Sequence, residues 1–441
     1  MMRSSDRRIE SVPFVVIAIV NAFVLAATLL LWMMEVLPLI GMVGVLLVLM
    51  VVEVIVIVLL QRRASRRQAR AHEQSARGDV STLDDQGPSS RYGYDPMDGM
   101  EGGGNALDLP TPPDPLAAPP LRWGILGAGG IARRFAREVP AHSSGQVVAV
   151  GSRDAARATA FAEEHGIARA HGSYAELVAD ADVEAVYVAS PHSEHRDHAL
   201  LAIEAGKHVL VEKAFTRSAA EARDVFAAAR ERGVFVMEAM WTRFLPHMIA
   251  IRHLVETGAL GEVVSLHADH GQRLDHDPAG RMLNPALAGG ALLDLGVYPV
   301  SLAHDLLGVP DSVLASGALS DTDVDGQETM LLRYGTRTLA VCSATLWART
   351  PTRAAISGTE AMIEVDGPFY TPTSFTVHRG SEHITVRSEV AGGFEYEAAE
   401  VARCVREGRT ESPTMSWADT LAVLETMDEV RRQIGVVYPG E

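Results

Sequence analysis

The chain has 441 residues, a formal net charge of −17 at pH 7 and only two cysteines, Cys342 and Cys404. Its length gives room for two or three domains, and its excess of acidic residues argues against a surface that binds nucleic acid through the phosphates. Because the two cysteines are far apart and neither belongs to a CxxC pair, the sequence predicts neither a disulfide framework nor a zinc cluster.

Two long apolar runs occupy the N-terminal region. Residues 13–34 contain no charged residue, and residues 37–60 contain only Glu53. A helix needs about 20 apolar residues to cross a bilayer, so residues 1–60 are predicted to form a transmembrane helical hairpin that contacts the lipid bilayer through residues 13–60. A carboxylate is costly inside a membrane, and Glu53 is interpreted either as a protonated anchor residue or as a helix–helix contact or proton site.

The placement of arginines predicts the orientation of this hairpin. Arg3, Arg7 and Arg8 precede the first run, further arginines follow the second run between residues 62 and 70, and the connecting turn has none. By the positive-inside rule, both ends of the hairpin then face the cytoplasm. The sequence therefore predicts a multi-pass protein of the cell membrane whose C-terminal body is cytoplasmic.

Residues 61–120 begin with a basic stretch and then become rich in Gly, Pro and Asp, with no apolar period. A segment of this composition cannot bury enough apolar surface to offset the entropy lost on folding. The sequence therefore predicts a disordered linker between the membrane segment and the body.

The body divides into two parts by its pattern. Up to about residue 245, short β runs alternate with Ala-rich helical stretches, which is typical of an α/β domain with a doubly wound parallel sheet. Residues 246–441 instead indicate an α+β domain with a mostly antiparallel sheet, ending in helices near residues 397–407 and 417–434, of which the last is expected to pack back on the first domain. The strands predicted in this second domain are 262–270, 328–334, 339–346, 361–365, 375–378 and 383–386.

A glycine-rich turn, Gly127–Ala132, follows the first strand and has the pattern GxGxxA. Its first glycine permits the tight turn, its second lets the backbone approach a pyrophosphate, and the alanine lets the helix pack closely. The phosphates then bind the free N–H groups at the helix N-terminus. Because strand, turn, helix and second strand follow in order, residues 121–245 are predicted to be a dinucleotide-binding Rossmann domain. The residues predicted to contact the cofactor in this turn are Gly127, Gly129, Gly130, Ile131 and Ala132.

The end of the second strand predicts which dinucleotide binds. A site for NAD usually has an acidic residue there to bind the ribose 2′-hydroxyl, whereas this chain has Ser152 and Arg153. A hydroxyl and a guanidinium suit a 2′-phosphate, so the predicted cofactor is NADP. Asp154 follows one residue later and is expected to cap the next helix.

Two further strand ends, at residues 190–195 and 212–213, carry polar residues. Open α/β sheets bind ligands at the carboxyl ends of their strands, so Glu212 and Lys213 are expected beside the nicotinamide, where a lysine can transfer a proton or shift a neighbour's pKa. For the histidines of the first strand end, a role at the cofactor edge and in capping is favoured over metal binding, and no metal site is predicted. The predicted cofactor contacts at these ends are Ser190, Pro191, His192, His195, Glu212 and Lys213.

The segment Gly289–Tyr298 reads GGALLDLGVY. If it is helical, Asp294 and Tyr298 are four residues apart and share one face. Tyr298 then becomes a candidate proton donor or acceptor whose phenolate is favoured by the nearby Lys213 cation. Together with Lys213, this interpretation is favoured over a tyrosine packed in the core.

These motifs together resemble the Gfo/Idh/MocA oxidoreductases, through Glu212-Lys213-Ala214, the GAGGIA turn and Gly289–Tyr298. More narrowly, Met237–Pro246 (MEAMWTRFLP) resembles the branch of trans-1,2-dihydrobenzene-1,2-diol dehydrogenases and NADP-linked D-xylose dehydrogenases. The resemblance covers residues 121–441 and does not include the membrane segment or the linker.

The resemblance implies that Lys213 and Tyr298 are the catalytic pair and that the second domain forms a homodimer through the outer face of its sheet. It also implies a substrate pocket that contains Asp294, Trp241 and Arg243. The expected reaction transfers a hydride between NADP and a hydroxyl carbon of a D-xylose-like sugar or a cyclic trans-diol. The alternative is a membrane-tethered NADP-binding sensor or scaffold without turnover; the presence of both Lys213 and Tyr298 favours the enzyme, because a sensor needs neither.

Overall fold

A computed structural model of the chain describes residues 107–274, 277–388 and 390–441. The predicted membrane helices at 13–34 and 37–60, and the predicted linker up to residue 106, lie outside the described residues. Within the described ranges, Pro285–Leu307 is the one stretch long and apolar enough to cross a membrane, and 83% of its apolar window is buried inside the fold.

The first sheet is parallel throughout, with strand order β3-β2-β1-β4-β5-β6 once its strands are numbered along the chain. The order reverses between the first and fourth strands, which creates the crevice where doubly wound sheets bind ligands. The predicted doubly wound sheet is therefore confirmed. Its strands are β1 (Arg122–Leu126), β2 (Gln146–Gly151), β3 (Arg169–His171), β4 (Ala185–Val188), β5 (His208–Glu212) and β6 (Val236–Ala239).

Local sequence signals set the ends of the helices that connect these strands. Asp154, Ser173 and Ser218 each accept backbone N–H groups from the first turn of the helix that follows, as N-cap side chains do. Gly166 ends the second helix in the left-handed conformation that glycine adopts at low cost. The capping role predicted for Asp154 is thus confirmed. The helices are α1 (Gly130–His142), α2 (Ala155–His165), α3 (Tyr174–Ala179), α4 (His195–Glu204) and α5 (Ala219–Arg232).

The second sheet has eight strands, numbered here along the chain as β7 (Val263–Gly271), β8 (Ser312–Leu319), β9 (Asp325–Tyr334), β10 (Thr338–Thr345), β11 (Ala354–Gly358), β12 (Met362–Val365), β13 (Phe375–Arg379) and β14 (Glu382–Val386). Their order is β14-β13-β12-β11-β7-β10-β9-β8, and only β7 and β10 pair in parallel. The mostly antiparallel sheet is as predicted, but β8 and β11 were not. Both are rich in Ala, Ser and Gly, which have a weak preference for β-strands. Hydrogen bonding of β8 to β9 and of β11 to β7 therefore stabilises their extended conformation.

Four longer helices belong to the second part of the chain: α6 (Pro246–Glu256), α7 (Val297–Leu307), α8 (Phe394–Arg406) and α9 (Trp417–Ile434). Of these, α8 packs on α1, and α9 packs on both α5 and α7. The carboxylate of Asp428 in α9 accepts the N–H of Ala219 at the start of α5 at 2.9 Å. The two parts of the body therefore share one continuous hydrophobic core.

The folded body begins before residue 121. Leu107 and Leu109 pack against the core, and Pro115 is buried in a short 3₁₀ helix that Asp114 caps. The backbone oxygen of Asp114 accepts a hydrogen bond from Arg403 of α8 at 3.1 Å. The predicted linker was therefore wrong for residues 107–120, because a few apolar and proline side chains dock there without any periodic pattern.

Candidate active site

A cavity of about 580 Å³ lies at the carboxyl ends of the parallel strands. Both parts of the body contribute to it, because the loop and helical turn of residues 281–294 face the glycine-rich turn. It is therefore placed where the fold is expected to bind a ligand. Its lining comprises residues 127–131, 152–154, 157, 174, 189–192, 195, 212, 213, 281 and 294.

The glycine-rich turn is shaped to admit a phosphate group. Gly127 has φ +106°, and a Cβ at this position would lie 2.9 Å from the carbonyl oxygen of Ala189. A Cβ on Gly130 would instead meet nothing within 4 Å, and no described side chain caps the N-terminus of α1. The first N–H groups of α1 are thus open to an anion, as the sequence predicted. Ala132 is fully buried and serves the packing of α1 rather than the cavity.

The end of the cavity next to β2, where the sequence predicts the adenosine ribose, carries polar and cationic groups. Ser152 and Arg153 line it as predicted, and Asp154 is turned to its capping role. Arg157 also lines the cavity, and its Nε donates to the carbonyl oxygen of Ala128 at 3.1 Å. Sequence reasoning missed Arg157, although its place one turn into α2, after Arg153, was a usable signal.

The two predicted histidines fix loops around the cavity. The ring nitrogens of His195 lie 2.9 Å from the carbonyl oxygens of Ala214 and Ser190. Those of His192 lie 3.2 Å from the carbonyl oxygens of Lys213 and Ala288. Burial lowers the pKa of His195 to about 4 and that of His192 to about 3. The two neutral rings therefore contact the backbone at Lys213 and at Ala214, and each donates its single N–H to one carbonyl oxygen. Within the described ranges, no group of three ligating side chains is placed to hold a metal ion.

Lys213 follows β5 directly, and its ammonium lies against Asp294. Its Nζ donates to the backbone oxygen of Asp294 at 2.8 Å and to the carboxylate at 3.2 Å. Asp294 is also bound by the guanidinium of Arg281 through two contacts of 3.2 Å. Burial alone would raise the pKa of Asp294, but the charges of Lys213 and then Arg281 hold it well below its usual range. The carboxylate therefore stays ionised between two cations.

Asp294 and Tyr298 lie on one helical segment, as predicted, although the backbone differs from a regular α-helix. Asp294 belongs to a π-helical turn, Leu292–Gly296, and Tyr298 lies in the first turn of α7. The Nζ of Lys213 is 4.9 Å from the centre of the Tyr298 ring. The hydroxyl of Tyr298 accepts a hydrogen bond from the indole N–H of Trp241 at 3.1 Å.

The predicted phenolate at Tyr298 is corrected by the structure. Burial, and next the charge of Glu212, raise the pKa of Tyr298 well above its ordinary value, while the Trp241 hydrogen bond lowers it. The charge of Lys213, whose Nζ lies over the ring at 4.9 Å from its centre, does not offset burial. Tyr298 is therefore a protonated phenol in the free protein.

Three polar residues next to Tyr298 were not predicted. The ring of Tyr370 lies 4.4 Å from those of both Tyr298 and His270, centre to centre. The Gln272 amide contacts Nε2 of His270 at 2.9 Å and the Tyr370 hydroxyl at 3.3 Å. Because Nδ1 of His270 faces the carbonyl oxygen of Leu295 at 3.2 Å, Nδ1 carries the proton and Nε2 accepts from the amide. These residues come from β7 and a distant loop, so no local sequence signal joins them.

Two residues predicted to contact substrate do not line the cavity. Trp241 is 3% exposed and lies behind Tyr298. Arg243 is buried on the other side of the same 3₁₀ helix, where it is 3.8 Å from Asp305 and 3.7 Å from Asp419. The prediction for Arg243 was therefore wrong, because a 3₁₀ helix points residues two apart in different directions. Trp241 contacts the site through its hydrogen bond to Tyr298 and its edge-to-face packing against Tyr370.

The comparisons with known proteins agree with this arrangement. The model of an oxidoreductase family with an NAD-binding Rossmann fold, Gfo/Idh/MocA, matches residues 121–240, and that of the family's C-terminal domain matches residues 248–364. The trans-1,2-dihydrobenzene-1,2-diol dehydrogenase of Danio rerio is 41% identical over 331 residues, which cover 72% of this chain and 98% of that protein. The D-xylose 1-dehydrogenase (NADP(+)) of Hypocrea jecorina is 37% identical and covers 72% of this chain and 93% of its own length.

Solved structures show the same architecture. An aldose-aldose oxidoreductase from Caulobacter crescentus in complex with glycerol superposes with a TM-score of 0.66 at 27% identity, covering 71% of this chain and 97% of its own. A 3-ketoreductase from Actinomadura kijaniata in complex with NADP and TDP-benzene gives a TM-score of 0.65 at 28% identity, covering 72% and 98%. The matched part is the two-domain body.

Proposed function

Because the chain belongs to the Gfo/Idh/MocA oxidoreductase family, we propose that it is an NADP-dependent dehydrogenase acting on a hydroxyl carbon of a sugar or of a cyclic trans-diol. The observation that carries this proposal is the meeting of Lys213, Asp294 and Tyr298 beside the cavity, at the carboxyl end of β5. A sensor would need the cavity but none of these three groups.

The cavity residues fit NADP. The open N–H groups of α1 and the space beside Gly130 suit the pyrophosphate, and Ser152 with Arg153 and Arg157 suits a 2′-phosphate. When bound, the nicotinamide supplies the hydride transfer. The preference for NADP over NAD is supported by the absence of an acidic side chain at the end of β2 in the described lining, apart from Asp154, which caps α2.

The chain's own groups handle the proton. In the reductive direction, the Tyr298 phenol donates its proton to the forming alkoxide oxygen, and in oxidation the substrate hydroxyl proton passes to the tyrosine oxygen. Lys213, held by Asp294, lines the cavity and has its Nζ 4.9 Å from the centre of the Tyr298 ring. Its positive charge at the cavity stabilises the negative charge that develops on the substrate oxygen.

The substrate class rests on the relatives and on the rings beside Tyr298. The matched relatives named above are dehydrogenases of a cyclic diol and of D-xylose. Tyr298, Tyr370 and His270 stack with their ring centres within 5.4 Å of one another, and of the three only Tyr370 is partly exposed. An exposed aromatic face of this kind suits the apolar C–H surface of a sugar or diol ring.

The experiment is a cofactor-reduction assay on the full chain with NADP⁺ or NAD⁺ and D-xylose, D-glucose or trans-dihydrobenzenediol. NADP⁺-dependent turnover is expected, with a loss of about 10²–10⁴-fold in kcat for Tyr298→Phe. Tyr334→Phe is the matched control, because the hydroxyl of Tyr334 has no partner among the described residues and lies away from the cavity. Tight NADPH binding with no turnover on any of these substrates would instead favour the sensor.

We also propose, from the sequence alone, that residues 13–60 anchor this enzyme in the cell membrane with its body in the cytoplasm. Deletion of residues 1–60 is expected to move the activity from the membrane fraction to the soluble fraction. A membrane-impermeant thiol reagent added to intact cells is expected to label Glu35→Cys, in the turn between the two runs, and not Ser4→Cys. Equal labelling of both, or of Ser4→Cys alone, would contradict the proposed orientation.

A further inference from the structure

Arg134 lies in α1, the helix whose N-terminus faces the cavity, and its side chain points away from the cavity toward two aromatic rings. Its guanidinium carbon is 4.4 Å from the ring centre of Trp241 and 4.6 Å from that of Phe394. The two rings meet edge to face, at 5.0 Å and 89°. Its Nε donates to the carboxylate of Glu138 at 2.6 Å. The guanidinium is therefore held in the corner between the rings, where its charge is attracted to their faces.

Trp241 is enclosed on its other sides as well. A Cβ on Gly393 would lie 2.4 Å from the indole ring, so the chain passes directly against the tryptophan there. The indole N–H is the only polar group of the Trp241 side chain, and it donates to the hydroxyl of Tyr298 at 3.1 Å. The orientation of the indole thus fixes the direction of the hydrogen bond that Tyr298 receives.

We infer that Arg134 is a positioning residue for the proton-transfer step: it holds Trp241 so that the indole N–H is directed at the oxygen of Tyr298. This inference rests on the proposed function, in which that oxygen exchanges the proton. Arg134 is not among the residues that line the cavity, and Trp241 is the residue through which it contacts the Tyr298 oxygen indirectly. Its charge also acts at longer range on Glu397 and Tyr370, an effect that does not depend on the indole N–H. Arg134 connects the helix that receives the cofactor phosphates to the acid–base group of the other domain.

The hydrogen bond from Trp241 has a consequence that a purely structural role would not have. It stabilises negative charge on the tyrosine oxygen and so lowers the pKa of Tyr298 against the effect of burial. Loss of the correct indole orientation should therefore move the pH dependence of oxidation to higher pH, as well as reducing kcat.

The test is a double-mutant cycle on kcat with Arg134→Gln, Trp241→Phe and the double variant. Arg134→Gln is expected to lower kcat about 10-fold in the wild-type background and less than 2-fold in the Trp241→Phe background, because the second variant has no indole N–H to position. The Michaelis constant for the cofactor should change less than 2-fold. Arg133→Gln is the control, since Arg133 is a half-exposed neighbour in α1 paired with Glu164 at 3.2 Å. An equal loss in both backgrounds, or none in either, would overturn the inference.

A second measurement separates this inference from the proposed function. The chain has five tryptophans, so the full chain labelled with ¹⁵N-tryptophan gives five indole N–H resonances, and Trp241→Phe assigns one of them. Arg134→Gln should shift that resonance in the same direction as Tyr298→Phe, and Arg133→Gln should leave it in place. If the wild type shows no turnover, the proposed function fails, and the Trp241 resonance still shows whether Arg134 positions the indole. A Trp241 resonance unchanged by Arg134→Gln contradicts the positioning role.

Discussion

The ammonium of Lys213 donates hydrogen bonds to both the backbone oxygen and the carboxylate of Asp294, at 2.8 and 3.2 Å, although the two residues are 81 positions apart. Their side chains are only 11% and 14% exposed. This contact joins the carboxyl end of β5 to the helical segment that carries Tyr298, so it sets the distance between Lys213 and Tyr298.

Asp294→Asn tests that relationship. Removing one partner of a largely buried ion pair leaves the other charge without compensation, which costs about 3 kcal/mol, and the displaced ammonium should lower kcat as well. Arg281→Gln removes the other partner of Asp294, but its side chain is 46% exposed, so a cost of about 1 kcal/mol or less is expected. Urea unfolding and steady-state kinetics measure both. Equal stability losses for the two variants would show that the Lys213–Asp294 pair is no stronger than a surface contact.

The pH dependence of the reaction should differ between the two directions. Because burial and the charge of Glu212 keep the pKa of Tyr298 well above 10, the phenol is protonated at neutral pH and ready to donate. Reduction should therefore stay level from pH 7 to 10, while oxidation should rise by up to about 10-fold per pH unit as the phenolate forms. The measurement is kcat/KM against pH in each direction.

Glu212→Gln should move that rising limb to lower pH, because it removes the charge that opposes the phenolate. The exposed Glu231→Gln in α5 makes the same change in charge at a distance and should leave the limb in place. A limb that moves to higher pH in Glu212→Gln would show that the carboxylate helps the ionisation of Tyr298 instead of opposing it.

Arg153 should decide the preference for NADP. Arg153→Ala removes an exposed guanidinium from the end of the cavity where the 2′-phosphate is expected. The dissociation constant of NADPH should rise about 10-fold, equivalent to about 1.4 kcal/mol, and that of NADH should change little. Fluorescence titration of the two reduced cofactors measures this difference. An equal loss for both would assign Arg153 to a part of the cofactor that NAD and NADP share.

Glu397 in α8 should make the folded state less stable as the pH rises. It is fully buried, both of its carboxylate oxygens lack a partner among the described residues, and burial followed by the charge of Glu212 raises its pKa well above the ordinary value. Above about pH 4.5 the unfolded chain loses this proton while the folded chain keeps it. The stability contributed by this group therefore falls as pH rises from about 4.5 to the folded-state pKa, by up to about 1.4 kcal/mol per unit.

Glu397→Gln removes this dependence. The free energy of unfolding of the variant should exceed that of the wild type at pH 8, and by much less at pH 5. Urea unfolding at each pH measures this difference. Glu231→Gln in α5, at an exposed position, is the control and should show no such trend. A gain of the same size at both pH values would mean that Glu397 does not hold its proton in the folded state.

The outer face of the second sheet should form the contact between two copies of the chain. On β10, Leu339 is 40% exposed, and Val341 next to it on the same face is partly exposed beside His267 of β7. Val341 continues into a row with Leu331 of β9 and the exposed Leu314 of β8, and exposed apolar groups of this kind mark contact surfaces. We expect gel filtration at micromolar concentration to give the mass of a dimer, and Val341→Arg to give a monomer. Elution of the wild type as a monomer would refute the dimer.

Much of the cofactor site could be predicted because its signals are local. A strand, the GxGxxA turn and a helix follow within about twenty residues, and their geometry needs no distant partner. Lys213 was predictable for the same reason, since a polar residue directly after a buried parallel strand must lie at the carboxyl edge of the sheet. The strands β8 and β11 were not predicted, because their small residues have little intrinsic preference for a β-strand.

The sequence by itself determined the order of the elements, the edge of the sheet where the cavity lies, and the residue types at Lys213, Asp294 and Tyr298. Only the tertiary structure decided which way side chains point and what surrounds them. Trp241 and Arg243 come from one short motif, yet one reaches Tyr298 and the other an interior ion-pair network. The protonation of Tyr298 depends likewise on burial and on Glu212, which lies far away in the chain. These properties arise from packing between distant segments, whose energy depends on three-dimensional contact and leaves no periodic or local trace in the sequence.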